Sequence, residues 1–330
     1  MTSTSLPLRH LGDVAVPAVG FGAMVLSPGM YGDIDDDRAL AALRHAFDAG
    51  ATFVDTSDAY GAGHNESLVG RAVAGRRSEV VVATKFGLNV PDGVERHAVP
   101  VAYAFGELAV NAEPRHVRGY AEASLRRLYT DVIDLYYLHF PDPRVAIEET
   151  AGAVADLVGA GLVRHFGVSN VTAEQLERAH AVHPVAAVQV EWSLWKPIAP
   201  DLLATADAFG VGLVAWSPLG GGFLTGTVTR LTESDFRHNA PRFSCRNLAL
   251  NHDRYAPVRR LATSLAITPG QLALAWLLHQ HPAVVPIPGS RTPAHIDENL
   301  EAAQIDLHPE TLAEVDRLLS RIVPVGAPLL

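Results

Sequence analysis

Eight short apolar runs recur along the chain. They are VGFGAM (19–24), TFVDTSD (52–58), VVVATKF (80–86), VIDLYYLH (132–139), RHFGVSN (164–170), AAVQVEW (186–192), GLVAWSP (212–218) and VVPIPG (284–289). Most carry a polar residue at or near the end, and their Val, Ile, Leu and Phe stretches are continuous rather than alternating, the pattern of a strand buried on both faces. Helical spacing fills the intervals. DDRALAALRHAFDA (36–49) puts Leu40, Leu43 and Phe47 on one stripe before Gly50 stops it. RHVRGYAEASLRRL (115–128) does the same with Val117, Ala121, Leu125 and Leu128. AIEETAGAVADLVGAG (146–161) ends on Gly161, a good C-terminal cap, and Thr172 with Gln175 reads as a capping box. Strand alternating with helix predicts parallel strands joined by crossovers. Eight such units fit a closed (β/α)8 TIM barrel, with an open doubly wound sheet as the competitor.

No composition shift or linker divides the sequence, so residues 1–330 read as a single domain. LPLRHLGDVAVP (6–17) predicts a hairpin turning at Gly12-Asp13 and plugging one barrel end. Residues 87–112 and 222–252 read as long loops at the C-terminal mouth, a length that points to function.

A barrel brings the C-terminal ends of its strands to one mouth. The polar residues there are Asp55, Lys85, His139, Ser169 with Asn170, Gln189, Trp216 with Ser217, and Ser290. Each has a bland reading: Asp55 as a turn cap, Lys85 reaching to the surface, His139 as a satisfied core histidine, Tyr60 as a packed ring, Gln189 as a backbone-bonded amide. Taken together those readings require five coincidences at one end of one barrel.

Charge and composition narrow the partners. Net charge is −10, from 26 Lys+Arg against 36 Asp+Glu, and no basic run exceeds two residues. Nucleic acid and anionic membrane are therefore not expected partners. The single cysteine, Cys245, excludes a disulfide framework and favours a reducing compartment. MTSTSLPLRH lacks the apolar core of a signal peptide, so a cytoplasmic protein is expected. Fifteen histidines raise a metal site, but there is no H-E-x-x-H and His279 with His281 fall on different sides of a helix; no metal is expected. GVGLVA (210–215) fits the dinucleotide fingerprint in letters only, because it follows a helix and opens a strand. No G-x-S-x-G elbow occurs.

The mouth residues suggest a chemistry. A tyrosine is a poor proton donor at neutral pH unless tuned, and a lysine cation beside it favours phenolate. Asp55 pairing with Lys85, Lys85 beside Tyr60, and His139 near the substrate oxygen would form a proton-delivering unit facing a carbonyl. A carbonyl that gains a proton on oxygen gains hydride on carbon, and hydride requires a cofactor. Ser169, Asn170 and Gln189 have the groups to bind a carboxamide, and Trp216 has a flat face for a ring.

The stretches FVDTSDAYG, ATKFG, DLYYLH, GVSN, AAVQVEW, AWSPLGGGFLTG and PIPGSRTPAHIDENL, in this order, resemble the aldo-keto reductase superfamily from about residue 6 to 320. The segment ESDFRHNAPRF (233–243) is similar to the bacterial branch near pyridoxal reductases and potassium-channel β subunits. The resemblance implies Asp55, Tyr60, Lys85 and His139 as catalytic tetrad, with Tyr60 as general acid. It implies NADP(H) extended across the mouth: Ser169, Asn170, Gln189 and Trp216 at the nicotinamide, with Gly22 and Met24 also at the cofactor. Ser217, Leu219 and Gly221 would line the pyrophosphate, Ser290, Arg291 and His295 the 2′-phosphate, and Glu298 with Asn299 the adenine. The sequence departs from the branch at GGGF, where GRGF is common, at His295, where arginine or glutamine is usual, and after His139, where Phe-Pro-Asp-Pro follows.

The expected activity is NADPH-dependent reduction of an aldehyde or ketone, a small-molecule carbonyl substrate. A nicotinamide-binding regulatory or sensor subunit, and a Schiff-base aldolase through Lys85, are the alternatives. Met24, Tyr31, Phe86, Tyr103, Phe105, Trp192 and Phe223 are expected around an apolar substrate pocket; the oligomeric state stays open.

Overall fold

The computed structural model describes residues 6–328; residues 1–5 of the segment expected to carry no leader lie outside the described residues. Among the described residues twelve strands form, β1 (Leu8–Leu11), β2 (Val14–Pro17), β3 (Phe21–Gly22), β4 (Phe53–Asp55), β5 (Val81–Phe86), β6 (His97–Pro100), β7 (Glu107–Val110), β8 (Ile133–Leu138), β9 (Val163–Ser169), β10 (Val185–Glu191), β11 (Gly212–Trp216) and β12 (Val284–Pro286). Eight pair in parallel in the order β12-β11-β10-β9-β8-β5-β4-β3. Helices fill the crossovers, among them Asp36–Asp48, His64–Val73, Pro114–Leu128 and Ile147–Gly159. The two ends of the sheet meet: Gly20 N–H donates to Pro286 O (3.0 Å) and Gly22 N–H to Pro288 O (3.3 Å). The fold is a (β/α)8 barrel with an N-terminal β-hairpin, as expected.

Glycine is required at this seam. A Cβ on Gly289 would lie 2.4 Å from Gly22 O, and one on Gly22 would lie 2.6 Å from Ile287 O. Backbones approach so closely only without side chains.

Alternation along the strands decides what enters the barrel. Phe53, Ala83, Leu135, Tyr137, Ala187, Val214 and Val285 point inward and pack on Leu11, Val14 and Val16 of the β1–β2 hairpin, which plugs one end. The residues that alternate with them, such as Val54, Val82, Tyr136 and Val188, pack outward against the helices. The inward period continues one step further to Asp55, Lys85, His139 and Gln189, so the same rule that fills the core delivers the polar groups to the mouth.

Three expectations are corrected. VGFGAM yields a strand of two residues, then a 3-10 turn at Ala23–Leu26, because the closing seam needs few ladder bonds. Residues 87–112 are not one open loop: β6 and β7 pair antiparallel from His97↔Val110 to Pro100↔Glu107. Four alternating residues on each side gave too weak a periodic signal. Residues 222–252 end in a helix, Cys245–Ser264, capped by Ser244 accepting from Asn247 N–H. Its first turn is polar, Pro257 lies inside it, and Asn251 takes one place of the buried stripe Leu248, Tyr255, Val258 and Ala262, so its helical signal is weak.

Candidate active site

Asp55 closes β4 and Lys85 lies near the end of β5, side by side on the inner face. Both are buried. An uncompensated charge there costs several kcal/mol, so the pair must be mutual. Lys85 Nζ donates to Asp55 Oδ1, to Thr56 O (2.9 Å) and to Tyr60 Oη (3.0 Å), which uses its three protons. Asp55 Oδ2 accepts from Gln189 Nε2 (2.7 Å). The loop 56–60 is tied to β5 by Thr56 N–H to Ala83 O (2.9 Å) and Asp58 N–H to Lys85 O (3.2 Å). That loop carries Tyr60 over the ammonium, whose nitrogen lies 4.8 Å from the ring centroid.

The electrostatics follow from burial and pairing. Burial pulls Lys85 down, but the Asp55 carboxylate and the Tyr60 phenol outweigh it and hold Lys85 above the ordinary lysine range. Burial raises the Tyr60 phenol, and Lys85 pulls against it without reversing the direction. Lys85 thus acts on the phenol in the expected sense, but desolvation outweighs it, so the net direction is upward and Tyr60 keeps its proton at neutral pH. Because the phenol accepts from Lys85, its own O–H is left for the cavity. Burial, reinforced by Lys85, holds His139 well below the usual histidine range, so its ring is neutral. The ring stands edge-on to Tyr60, 6.0 Å between centroids.

These groups form the floor of a cavity of about 670 Å³. Its lining includes Asp55, Tyr60 and His139, and extends through Gly22, Met24, Ser169, Asn170, Gln189, Trp216, Ser217, Leu219 and Gly221 to Ser290, His295, Glu298 and Asn299. Lys85 lies beneath the floor, reaching it through Tyr60. Backbone strain marks the trough. Ser217 (φ 51°) is left-handed just past β11, a conformation a serine holds only when its surroundings impose it, and Asn170 (φ 57°) takes the same conformation just past β9, where asparagine adopts it more readily. Asn170 spends its Nδ2 on His139 O (3.0 Å) and Ser169 Oγ (3.1 Å), which leaves its amide oxygen as an acceptor. Trp216 turns its indole to the trough, and its buried Nε1 has no partner.

Arg291 stands apart from the other expected residues. Its guanidinium donates to the carbonyls of Val25 (2.7 Å), Gly32 (3.0 Å) and Asp33 (3.2 Å), bracing loop 25–33 rather than lining the cavity.

The substrate side is aromatic, with a different membership from that expected. Met24, Tyr31 and Tyr103 line it, whereas Phe86, Trp192 and Phe223 are packed in the core. Phe105 stacks on Tyr103 (5.0 Å) at the rim. Phe236, Leu88 and Leu108 line it without having been singled out, and Phe140, which the Phe-Pro-Asp-Pro after His139 put at the rim, lines it too. Phe140 follows His139 directly, just past the end of β8. Phe236 arrives only because its loop folds back, with Phe236 N–H donating to Met30 O (2.8 Å). Arg237 also reaches the cavity, held by Asp235 (2.6 Å) and donating to Gly221 O (2.5 Å).

A closed barrel with a lysine–phenol pair at its mouth and a long trough beside it defines a class of enzyme. Residues 18–320 match the Aldo/keto reductase family, and this chain belongs to that family. A curated relative, the aldo-keto reductase yakc of Schizosaccharomyces pombe (strain 972 / ATCC 24843), named for NADP(+), is 39% identical over 333 aligned residues, 98% of this chain and 94% of the relative. Among solved structures, the glycerol dehydrogenase AKR11B4 from Gluconobacter oxydans matches with a TM-score of 0.80 and 29% identity, over 100% of this chain and 99% of that one. An aldo-keto reductase from Klebsiella pneumoniae in complex with NADPH matches with a TM-score of 0.72 and 29% identity, over 96% and 95%.

Proposed function

We propose that this chain reduces an aldehyde or ketone to an alcohol with NADPH, and that Tyr60 delivers the proton. The observation that carries this reading is the single ammonium of Lys85 joining buried Asp55 to the phenol of Tyr60 on the cavity floor. The residues suit the cofactor: a flat indole at Trp216, a spare amide oxygen at Asn170, and a trough running to Ser290, His295, Glu298 and Asn299. When bound, the nicotinamide supplies hydride to the carbonyl carbon. Tyr60 then gives its O–H proton to the substrate oxygen, because an alkoxide is far more basic than a phenolate. Lys85 stabilises the phenolate left behind, at a distance where the charge develops. Asp55 keeps Lys85 cationic and fixed. His139, neutral, turns Nε2 to the substrate oxygen while Nδ1 is held by Ser57 (3.1 Å). The apolar rings of Tyr31, Tyr103, Phe140 and Phe236 exclude water around that oxygen.

The aldolase reading needs a neutral amine. A lysine held above its ordinary range by a carboxylate is the wrong nucleophile. The sensor reading lacks a feature of its own, and the complete proton-delivering set favours the enzyme.

The test is a panel of aldehydes and ketones followed by NADPH absorbance. Tyr60→Phe should lower single-turnover reduction by about 10²–10⁴-fold and leave NADPH affinity nearly unchanged. Reduction at the wild-type rate by the variant would refute Tyr60 as donor. No oxidation of NADPH by any carbonyl would point to the sensor instead.

A further inference from the structure

Two side chains lie one step behind His139: Ser57, which holds its Nδ1, and Asp58, which the proton delivery above leaves unused. Ser57 Oγ is 3.1 Å from His139 Nδ1 and 3.2 Å from Asp58 Oδ1. Ser57, Asp58 and His139 are all at least nine-tenths buried. Ser57 Oγ also accepts from Ala59 N–H (3.1 Å), which fixes its position. A serine has one hydroxyl proton, so Ser57 donates either to the carboxyl or to the imidazole, never to both.

The charge of Asp58 decides between them. An ionised Asp58 takes the serine proton; Nδ1 must then carry a hydrogen and donate to Oγ, and Nε2 shows the cavity a lone pair. A protonated Asp58 donates to Oγ instead; Ser57 then donates to Nδ1, and Nε2 carries the hydrogen. We propose that Asp58, acting through Ser57, sets the tautomer of His139, so that Nε2 is a donor to substrate oxygen while Asp58 holds a proton and an acceptor once Asp58 is ionised. The inference rests on the carbonyl-reductase reading for its use. A carbonyl oxygen only accepts, so reduction employs the donor form. An alcohol can donate, so the reverse reaction employs the acceptor form. Ser57 and Asp58 are positioning residues; neither touches the reacting atoms.

The surroundings place the switch at a useful pH. Burial lifts the Asp58 carboxyl to about 7, Glu66 adds to the lift, and Arg127, Ser57 and the Asn89 backbone amide oppose it. Glu66 comes from the helix His64–Val73, Arg127 and Tyr120 from the helix Pro114–Leu128, Tyr136 from β8, and Tyr60 from Asp58's own loop; all of them face this carboxyl. His139 resists protonation under burial and the nearby Lys85, so its ring changes tautomer rather than charge.

The test is long-range proton–nitrogen NMR on protein labelled with 15N-histidine, from about pH 5 to about pH 9, with the His139 signals assigned by their loss in His139→Gln. The expected result is an interchange of the Nδ1 and Nε2 shifts with a midpoint near that of Asp58, and no such interchange in Ser57→Ala. Wild-type reductive kcat should then fall about tenfold per pH unit above the midpoint, and Asp58→Asn should remove that limb. One tautomer throughout, an imidazolium in acid, or an interchange that survives Ser57→Ala would each overturn the proposal. The NMR measurement needs no turnover and no variant at Asp58, so it decides even if no carbonyl is reduced or Asp58→Asn fails to fold.

Discussion

At the scale of single residues, the buried lysine is the group with the most consequences. It spends three protons on a carboxylate, a carbonyl and a phenol. Lys85→Met should therefore cost stability as well as chemistry. It leaves Asp55 buried without its cation, a loss of about 3–5 kcal/mol near neutral pH, read by urea denaturation. The sign of the pH dependence is set by the carboxylate. Without Lys85, Asp55 binds a proton more readily in the folded state, so the loss should shrink as pH falls; an equal loss at all pH would mean the pair carries no charge. Asp55, Lys85 and His139 were legible in the sequence because each stands at or near the end of an apolar run, where a polar group demands an explanation; Tyr60 lies five positions past Asp55 in a polar turn and was singled out by its chemistry and by the resemblance. Ser57 and Asp58 were in plain view in FVDTSDAYG, yet their setting was not. Ser57's partner His139 lies 82 positions away, and no local pattern announces a bond of that span.

At the scale of elements, the mouth is assembled from loops that hold one another. Tyr31 bridges to Asp235, Phe236 rests against Tyr103 (5.2 Å), and Ala104 N–H donates to Asn239 O (2.8 Å). Loop 25–33 is braced from below by Arg291. Arg291→Ala should quicken amide hydrogen exchange in residues 25–33 by removing three hydrogen bonds to their carbonyls. The same variant separates two roles for this arginine. A reader of the 2′-phosphate predicts a larger loss of NADPH affinity than of NADH; a brace alone predicts equal losses in a fluorescence titration. Strands and crossover helices were visible as runs and stripes, because period governs them. The β6–β7 hairpin and the helix Cys245–Ser264 were not, because four-residue strands and a polar helix start carry little period. What positions their side chains is tertiary: His97 is buried against Asp142 (2.7 Å), a pairing that pins the hairpin and that no spacing encodes.

At the scale of the whole molecule, the barrel holds its circumference by backbone closeness at one seam. Gly289→Ala would drive a methyl group into Gly22 O, since the added Cβ would stand 2.4 Å away. The expected cost is about 2–4 kcal/mol, in the range of overpacked or strained sites, seen as a lowered Tm. An unchanged Tm would mean that the seam yields freely. A count of eight strand–helix units fits closure but leaves an open doubly wound sheet as a competitor, since both cross over in the same hand; the backbone bonds from Gly20 and Gly22 to Pro286 and Pro288 are what close the ring. The plug formed by β1 and β2 has a consequence for traffic. Leu11, Val14 and Val16 stopper the far end, so whatever reaches the strand ends must depart through the doorway by which it arrived. Coenzyme and reactant share that doorway, and a long nucleotide lodged along the trough would queue the smaller molecule in front of it: last to come in, first to go out.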